Sequence, residues 1–299
     1  MTPARMASLF VPATVLALGA LLATPAGAAP AEAPLGSYVA LGDSYAAGPL
    51  IPRQNGFPAG CLRSDRNYPA LVAGNAGASD FQDVSCSGAV TDDLFAPQVT
   101  AAGTNPPQLD ALSEGTEAVT LTIGGNDIGF GSIITECAVR SPVEPLGAAC
   151  RDFFTADGTD QLALRIEETA PKVAAALDEI ENRAPEARVL LVGYPAILPD
   201  SGPGCFPVIP YSAGDVAYLR ETEQALNAVL AQEAADAGVE YVDTYTPFIG
   251  HDICTLPGTK WVEGLVPTAP AAPVHPNALG MLNMAQAVLD ELTDSESDA

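Results

Sequence analysis

The sequence is poor in basic residues and has very few histidines. Its 299 residues include 12 lysines and arginines against 37 aspartates and glutamates, so the formal net charge is −25 at pH 7. A chain this acidic repels phosphate groups, which argues against nucleic acids and anionic membrane surfaces as partners. Since there are only two histidines, His251 and His275, chemistry that needs an imidazole base has only two candidates.

Metal-ligand spacing is also missing. The six cysteines include no C-x-x-C pair and do not cluster with histidine, so the sequence predicts no metal site. In an exported chain, cysteines at such spacings are expected to form disulfides. The sequence alone does not choose among the possible pairings of the six.

No hydrophobic run is long enough for an ordinary membrane span. The best candidate, residues 9–23, is short for a bilayer and contains Pro12. A basic residue before it and Ala26-Gly27-Ala28 after it are typical of a signal peptide with its cleavage site. We therefore expect residues 1–28 to be a signal peptide and residues 29–299 to be secreted, without stable membrane insertion.

The exported part has the size of a single domain of about 270 residues, large enough to bury a full core. Half of its last ten residues are acidic, which predicts a short solvated tail at the C-terminus. We expect the mature protein to be one secreted domain that acts as a monomer.

Short apolar runs alternate with helical patterns along the chain. The runs predict buried strands at 37–41, 119–123, 188–193 and 239–243. Helices are predicted over 162–184, over about 212–237 and after Asn277, and Pro171 predicts a kink or a late start in the first. This alternation predicts an α/β fold in which helices cover both faces of a central parallel sheet and ligands bind beyond the carboxyl ends of its strands.

Two polar turns directly follow two of these strands. Gly42-Asp43-Ser44 comes after the first run, and Gly124-Gly125-Asn126-Asp127 comes after the second. A serine at a helix start has backbone N–H groups and the helix dipole beside it, which favour a developing oxyanion, and a carboxamide can add a further donor. Either turn alone would equally serve as an ordinary turn. At one sheet edge, together with a histidine, they indicate an acyl-transfer site.

Two further residues complete the pattern. Gly88, in Ser85-Cys86-Ser87-Gly88, lacks a side chain and can bring its backbone N–H close to a substrate. His275 lies in a loop just before the last predicted helix, from which its ring could reach Ser44. His251 stands beside Cys254, and we interpret it as structural.

In this order and context the four segments resemble the four blocks of the SGNH (GDSL-type) hydrolases. The resemblance runs from residue 37 to about 290, and Tyr45 stands where many members have leucine. It is strongest to the secreted bacterial lipases and esterases with six cysteines, through Val192-Gly193-Tyr194-Pro195, His251-Asp252-x-Cys254, Trp261-Val262 and Val274-His275-Pro276-Asn277-Ala278. The resemblance implies a three-layer α/β/α sandwich of flavodoxin-like type and the disulfides Cys61–Cys86, Cys137–Cys150 and Cys205–Cys254.

The same resemblance assigns roles to the site residues. Ser44 would be the nucleophile, and His275 the base that takes its proton and returns it to the leaving alcohol. The backbone N–H groups of Ser44 and Gly88, with the side chain of Asn126, would form the oxyanion hole.

The sequence departs from the family in its last block, which is usually Asp-x-x-His. The residue three before His275 is Ala272, and no acidic residue occurs between Glu263 and Asp290. Some members of the related subgroup use a backbone carbonyl there, so we expect a Ser–His dyad in which the carbonyl of Ala272 orients the imidazole. A remote carboxylate such as Asp252 is the alternative.

The leading functional interpretation is a secreted carboxylic-ester hydrolase, a lipase, phospholipase A1 or esterase, that uses an acyl-enzyme intermediate and no cofactor. Four aromatic residues are candidates to line its acyl pocket: Phe57, Tyr194, Phe206 and Trp261. A carbohydrate acetylesterase is one alternative, although a single tryptophan offers little for sugar stacking. A non-catalytic binding protein on the same scaffold is another, against which the intact Ser44, Asn126 and His275 argue.

Overall fold

The computed structural model describes Met1 and residues 34–294. The predicted signal peptide, apart from Met1, lies outside the described residues, as does the end of the predicted acidic tail. Pro34 onward forms one compact unit. The last helix continues to Asp294, so the part of the acidic tail that the structure describes is helical.

Seven strands are present in the described part of the chain. They are β1 (Ser37–Gly42), β2 (Asp80–Asp83), β3 (Gln98–Thr100), β4 (Gly103–Asn105), β5 (Ala118–Thr122), β6 (Arg188–Val192) and β7 (Glu240–Val242). Five of them form a parallel sheet in the order β2-β1-β5-β6-β7, while β3 and β4 pair as a separate antiparallel ribbon.

The sheet core consists of the apolar runs that predicted it. Every residue of β5, and every residue of β1 and β6 except the first, is buried, as expected for central strands covered on both faces. Val39 pairs with Val119, which in turn pairs with Val189. The four predicted strands are confirmed to within one or two residues. No apolar run predicted β2, because this edge strand alternates exposed and half-buried positions and contains two aspartates.

Helices flank the sheet in a three-layer α/β/α sandwich. They are α1 (Ser44–Ala47), α2 (Tyr68–Asn75), α3 (Asp92–Phe95), α4 (Phe130–Arg140), α5 (Ala149–Phe154), α6 (Gln161–Arg183), α7 (Ala213–Ala237), α8 (Tyr245–Phe248) and α9 (Ala278–Asp294). The helix α6 packs against α7, and α2 packs against α9.

The sequence signals at the helix ends mostly correspond to real caps. The Ser212 side chain accepts from the Asp215 N–H at the start of α7, and Gly238 ends that helix in the left-handed conformation. The expectation of a late start at Pro171 is wrong, because α6 begins at Gln161 and passes through Pro171. The carboxylate of Asp160 accepts from the N–H groups of Leu162 and Ala163 and so secures the early start.

The order of the five parallel strands is the flavodoxin-like one, with the first strand between the second and the third. Its topological switch point, where such folds bind ligands, lies between β1 and β5. At this point the Asp43 N–H donates to the Thr122 carbonyl over 2.9 Å, so the turn after β1 is bonded to the end of β5. Gly42 is required there, because a Cβ atom would lie 2.5 Å from the Thr122 oxygen.

Three disulfides join Cys61 to Cys86, Cys137 to Cys150, and Cys205 to Cys254, which are the pairs that the family resemblance implies. The first lies next to the predicted site, since Cys86 is two residues before Gly88. Among the described residues, no helix combines the length and the apolar character that a membrane crossing requires.

Candidate active site

Ser44 lies at the first position of α1, directly beyond the buried end of β1. The Asp43 side chain caps this short helix by accepting from the Tyr45 N–H at 2.8 Å. Ser44 is only 8% exposed, so the strand-to-helix turn holds its hydroxyl in a largely enclosed position.

His275 is 231 residues away in the sequence and meets Ser44 directly. Its Nε2 atom lies 2.8 Å from the Ser44 Oγ atom, and its Nδ1 atom lies 2.7 Å from the Pro273 carbonyl oxygen. A carbonyl can only accept, so Nδ1 carries the hydrogen and Nε2 is left to accept from the serine hydroxyl. This is the tautomer that a general base requires.

The expectation that the Ala272 carbonyl orients this ring is wrong by one residue. The carbonyl in contact is that of Pro273, while the Ala272 N–H donates to the Pro49 carbonyl at 3.0 Å. The cause is local: Val274 has φ of 59°, a left-handed conformation that turns the chain sharply before His275.

The alternative orienting group, Asp252, does not contact the ring. Its carboxylate accepts from the Cys254 N–H at 2.8 Å. The other histidine, His251, has its Nδ1 atom 2.7 Å from the Thr259 carbonyl and stacks on Trp261 with ring centroids 3.7 Å apart. His251 therefore has the structural position that was expected of it.

Tyr45 holds the turn that carries His275, a contact that the sequence did not reveal. Its hydroxyl donates to the Val274 carbonyl over 2.7 Å, and its ring centroid lies 4.9 Å from that of His275. The hydroxyl thus bonds to the left-handed residue itself, and the ring forms one wall of the imidazole site.

Gly88 and Asn126 lie on two turns that are tied to each other. The Asn126 side-chain nitrogen donates to the Ala89 carbonyl at 2.9 Å, and the Asp127 carboxylate accepts from both the N–H and the hydroxyl of Thr91. One amide hydrogen of Asn126 is used in this way, so the second is available for a ligand. Gly88 has φ of 82°, which a side chain would strain.

Tyr194 connects the serine turn to the asparagine turn. Its hydroxyl donates to Asp43 at 2.5 Å and accepts from the Gly125 N–H at 2.8 Å. Burial raises the pKa of Asp43 to about 7, although the hydrogen bonds from Tyr194 and from the Tyr45 N–H act in the opposite direction. The sequence suggested Tyr194 only as a wall of a pocket; its bridging role depends on tertiary contacts that no motif specifies.

Two cavities meet at Ser44. The first, which we call the inner chamber, is mostly apolar and is lined by residues of the serine turn, of the 125–134 segment, of the 194–198 segment and of α7. The second, the outer groove, is more open and is lined by Leu62, Ser87, Gly88 and the 272–275 loop. Both share Ser44, Asn126, Phe130 and Ile134.

Of the four aromatic residues expected at the acyl pocket, only Tyr194 lines the inner chamber. Phe57 and Phe206 are exposed, and Trp261 packs edge-on against Phe248 while it stacks on His251. Within the described part of the chain, no three His, Cys, Asp or Glu side chains converge as metal ligands would.

Comparison with known proteins gives a consistent result. A family model described as the GDSL-like Lipase/Acylhydrolase family matches residues 40–282. The chain is 43% identical over 281 residues to Lipase 2 of Streptomyces coelicolor, and the match covers 93% of this chain and 92% of that protein.

Solved structures agree with the sequence match. Phospholipase A1 from Streptomyces albidoflavus and the extracellular lipase from Streptomyces rimosus each superpose with a TM-score of 0.71 at 31% identity. Each match covers 87% of this chain, together with 99% of the former protein and 100% of the latter. The matched family segment includes Ser44, Gly88, Asn126 and His275.

Removing the Tyr45 hydroxyl should slow the reaction of Ser44 with a fluorophosphonate probe several-fold. Tyr45→Phe loses the bond to Val274 and frees the turn before His275, at a cost of about 1 kcal/mol in unfolding free energy. Tyr38→Phe is the matched control, because Tyr38 is equally buried, lies at the end of β1 away from Ser44, and has a hydroxyl that bonds to Thr120 of β5. It should lose similar stability and keep the labelling rate; equal slowing of both variants would contradict the assignment.

The rate of Ser44 labelling should fall on the acid side with a midpoint below pH 6.5. Burial lowers the pKa of His275 from its usual 6.5, and the bond to the Pro273 carbonyl offsets only part of this effect. A lowered pKa keeps the imidazole neutral, and therefore able to accept a proton, to lower pH. A pH series of labelling rates measures the midpoint. A midpoint near 7 would instead indicate that ionisation of Asp43 controls the reaction.

Proposed function

The chain belongs to the GDSL-like lipase/acylhydrolase family and is an ester hydrolase, and we propose that it acts outside the cell on acyl esters, with Ser44 as the nucleophile and His275 as the general base. The observation that carries the proposal is the 2.8 Å hydrogen bond between Ser44 Oγ and His275 Nε2, at the meeting point of two cavities. A serine with its base in place and open space on both sides can receive an ester carbonyl.

In the first step, Ser44 Oγ attacks the ester carbonyl carbon while its proton passes to His275 Nε2. The carbonyl oxygen becomes an oxyanion, which the N–H groups of Ser44 and Gly88 and the side chain of Asn126 would stabilise. The imidazolium then gives its proton to the leaving alkoxide as the C–O bond breaks, which leaves the acyl group on Ser44.

In the second step, a water molecule attacks the acyl carbonyl while His275 takes its proton. The imidazolium returns that proton to Ser44 as the acid departs, so the enzyme is restored. Every proton and electron pair comes from the ester, water or these residues, and the proposal accordingly includes no cofactor.

The two cavities suit the two halves of an ester. The inner chamber, with its apolar lining, would take the acyl chain, because burial of each methylene group is favourable by about 0.8 kcal/mol. The outer groove, which is open and contains Gly88 and the 272–275 loop, would take the alcohol part. This division favours lipase, phospholipase A1 or long-chain esterase activity, in agreement with what the relatives are named.

Secretion is part of the proposal. The three disulfides favour an oxidising compartment, the structural relative from Streptomyces rimosus is an extracellular lipase, and residues 1–28 have the pattern of a signal peptide. The monomeric state stays a prediction.

Hydrolysis of p-nitrophenyl esters from acetyl to palmitoyl tests the proposal. The purified protein should cleave chains longer than acetyl, and Ser44→Ala should reduce kcat by a factor of about 10³ or more, because it removes the hydroxyl that is bonded to His275 and would form the acyl-enzyme. Activity restricted to acetyl esters would favour the carbohydrate acetylesterase. Activity no higher in the wild-type protein than in Ser44→Ala would overturn the mechanism, and absence of activity from both would favour the non-catalytic binding protein.

Asn126→Ala should lower kcat by about 10²–10³ with little change in KM, because an oxyanion donor acts mainly in the transition state. The side chain also bonds to Ala89, so a second variant is needed. Thr91→Val removes the hydroxyl that donates to Asp127 and loosens the same pair of turns without touching the amide. A loss of kcat in Thr91→Val as large as that in Asn126→Ala would show that Asn126 acts only by holding the turns.

A further inference from the structure

One acidic side chain lines the inner chamber away from Ser44. Glu223, on α7, lines this cavity together with Leu219 and Leu226 of the same helix and with Ile197 and Leu198. A carboxyl group in such apolar surroundings is costly unless its hydrogen-bonding capacity is satisfied.

That capacity is mostly unused. Both oxygens of Glu223 share a single donor, the Ile197 N–H, at 3.2 and 3.3 Å. Among the described residues no basic side chain forms an ion pair with it. Burial raises the pKa of Glu223 well above its usual value, which favours the protonated form, and the O–H of that form can donate a hydrogen bond.

Two buried carboxylates with structural roles, Asp215 and Glu263, are bonded differently. Asp215 accepts from the Ser141 and Ser212 hydroxyls and from the N–H groups of Cys150 and Arg151. Glu263 accepts from the Asn277 amide and from both the N–H and the hydroxyl of Thr268. Asp215 and Glu263 thus have four and three donors, whereas Glu223 has one, at 3.2 and 3.3 Å.

Apart from Ser44 and Asn126 at the reacting end, the other hydroxyl groups of the chamber each already donate a hydrogen bond. The Tyr194 hydroxyl is bonded to Asp43 and Gly125, the Tyr211 hydroxyl donates to the Ile134 carbonyl at 3.4 Å, and the Thr222 hydroxyl donates to the Tyr218 carbonyl. Glu223 is therefore the group on this wall with a donor and acceptors to spare for a ligand.

We propose that Glu223 is a specificity-determining residue that binds a hydroxyl group, or a comparable oxygen, on the acyl chain of the substrate. This rests on the proposed function, in which the inner chamber takes the acyl chain. A plain alkyl chain would cover the carboxyl group without bonding to it, whereas a hydroxylated chain would both donate to it and accept from it. A site that can bond to a substrate hydroxyl selects against the analogue that lacks one.

Matched p-nitrophenyl esters test this. The unsubstituted dodecanoate is compared with a series of hydroxydodecanoates that carry the hydroxyl at successive positions, and the measured quantity is the ratio of kcat/KM for each hydroxylated ester to that for the unsubstituted one. The wild-type ratio should peak at one region of the chain at about tenfold, which is the effect of one hydrogen bond.

The variants identify the residue responsible. Glu223→Leu should remove the peak and raise kcat/KM on the unsubstituted ester, and Glu223→Gln, which keeps a donor and an acceptor, should retain the peak. Glu221→Leu, an exposed acidic position on the same helix, should leave every ratio unchanged.

Two results would overturn the proposal: a flat ratio along the whole wild-type series, or a peak that persists in Glu223→Leu. The wild-type series decides even if that variant does not fold. Failure of this inference is distinguishable from failure of the proposed function, because the latter would abolish Ser44-dependent hydrolysis of the unsubstituted ester as well.

Discussion

The parallel pairing of β1 with β5 is the constraint on which the site depends. This pairing places Gly42, the last residue of β1, beside Thr122, the last residue of β5. The serine turn and the asparagine turn therefore follow next to each other at one sheet edge. Parallel strands need a crossover connection between them. The crossover from β1 to β2 makes β2 end at the same sheet edge, and Gly88 follows β2 there. The Cys86 N–H donates to the Gly42 carbonyl at 2.8 Å, which fixes the Gly88 loop to the serine turn by a backbone bond. The proposed nucleophile and oxyanion donors are therefore positioned by main-chain bonds of the central sheet, to which side chains such as Tyr194 and Asn126 add further bonds.

The proposed base comes from a different kind of element, a loop that is held by backbone bonds and by the Tyr45 side chain. His275 is oriented by a neutral carbonyl two residues back, which selects the tautomer but gives less stabilisation to an imidazolium than a carboxylate would. The left-handed Val274 makes this short return possible, and the Tyr45 hydroxyl bonds to the residue that bears the unfavourable conformation. Tyr45, at the position where many family members have leucine, thus helps to orient the imidazole of His275. Burial, which lowers the pKa of His275, keeps the ring neutral and ready to accept a proton without an anionic partner.

Much of the fold could be predicted from the sequence because the central strands are buried on both faces and so contain uninterrupted apolar runs. The edge strand β2 could not, since Asp80 and Asp83 interrupt any such run and only its pairing with β1 makes it a strand. The residues proposed to react could be named because each follows a glycine-containing turn or precedes a helix in a recognisable order. The residues that hold these groups in place could not be named from the sequence. Whether Tyr45, Tyr194 or Pro273 contacts the site depends on backbone angles and on tertiary neighbours. Ala272 was expected in place of Pro273 for the same reason, because no sequence pattern predicts the left-handed conformation of Val274.

The site has a further common property, which is that burial favours neutral forms of its ionisable groups. Asp43, with a pKa raised to about 7, and Glu223, with a pKa raised well above its usual value, both lie against the cavities that meet at Ser44, and His275 is held neutral by the same cause. A fixed negative charge close to Ser44 would repel the oxyanion, and the repulsion would be strong in a medium of low polarity. In the same medium, donors such as Asn126 stabilise an oxyanion more than they would in water. An acidic protein can therefore support negative charge in the proposed transition state, because the raised pKa values of Asp43, beside Ser44, and of Glu223, on the inner chamber, favour their neutral forms.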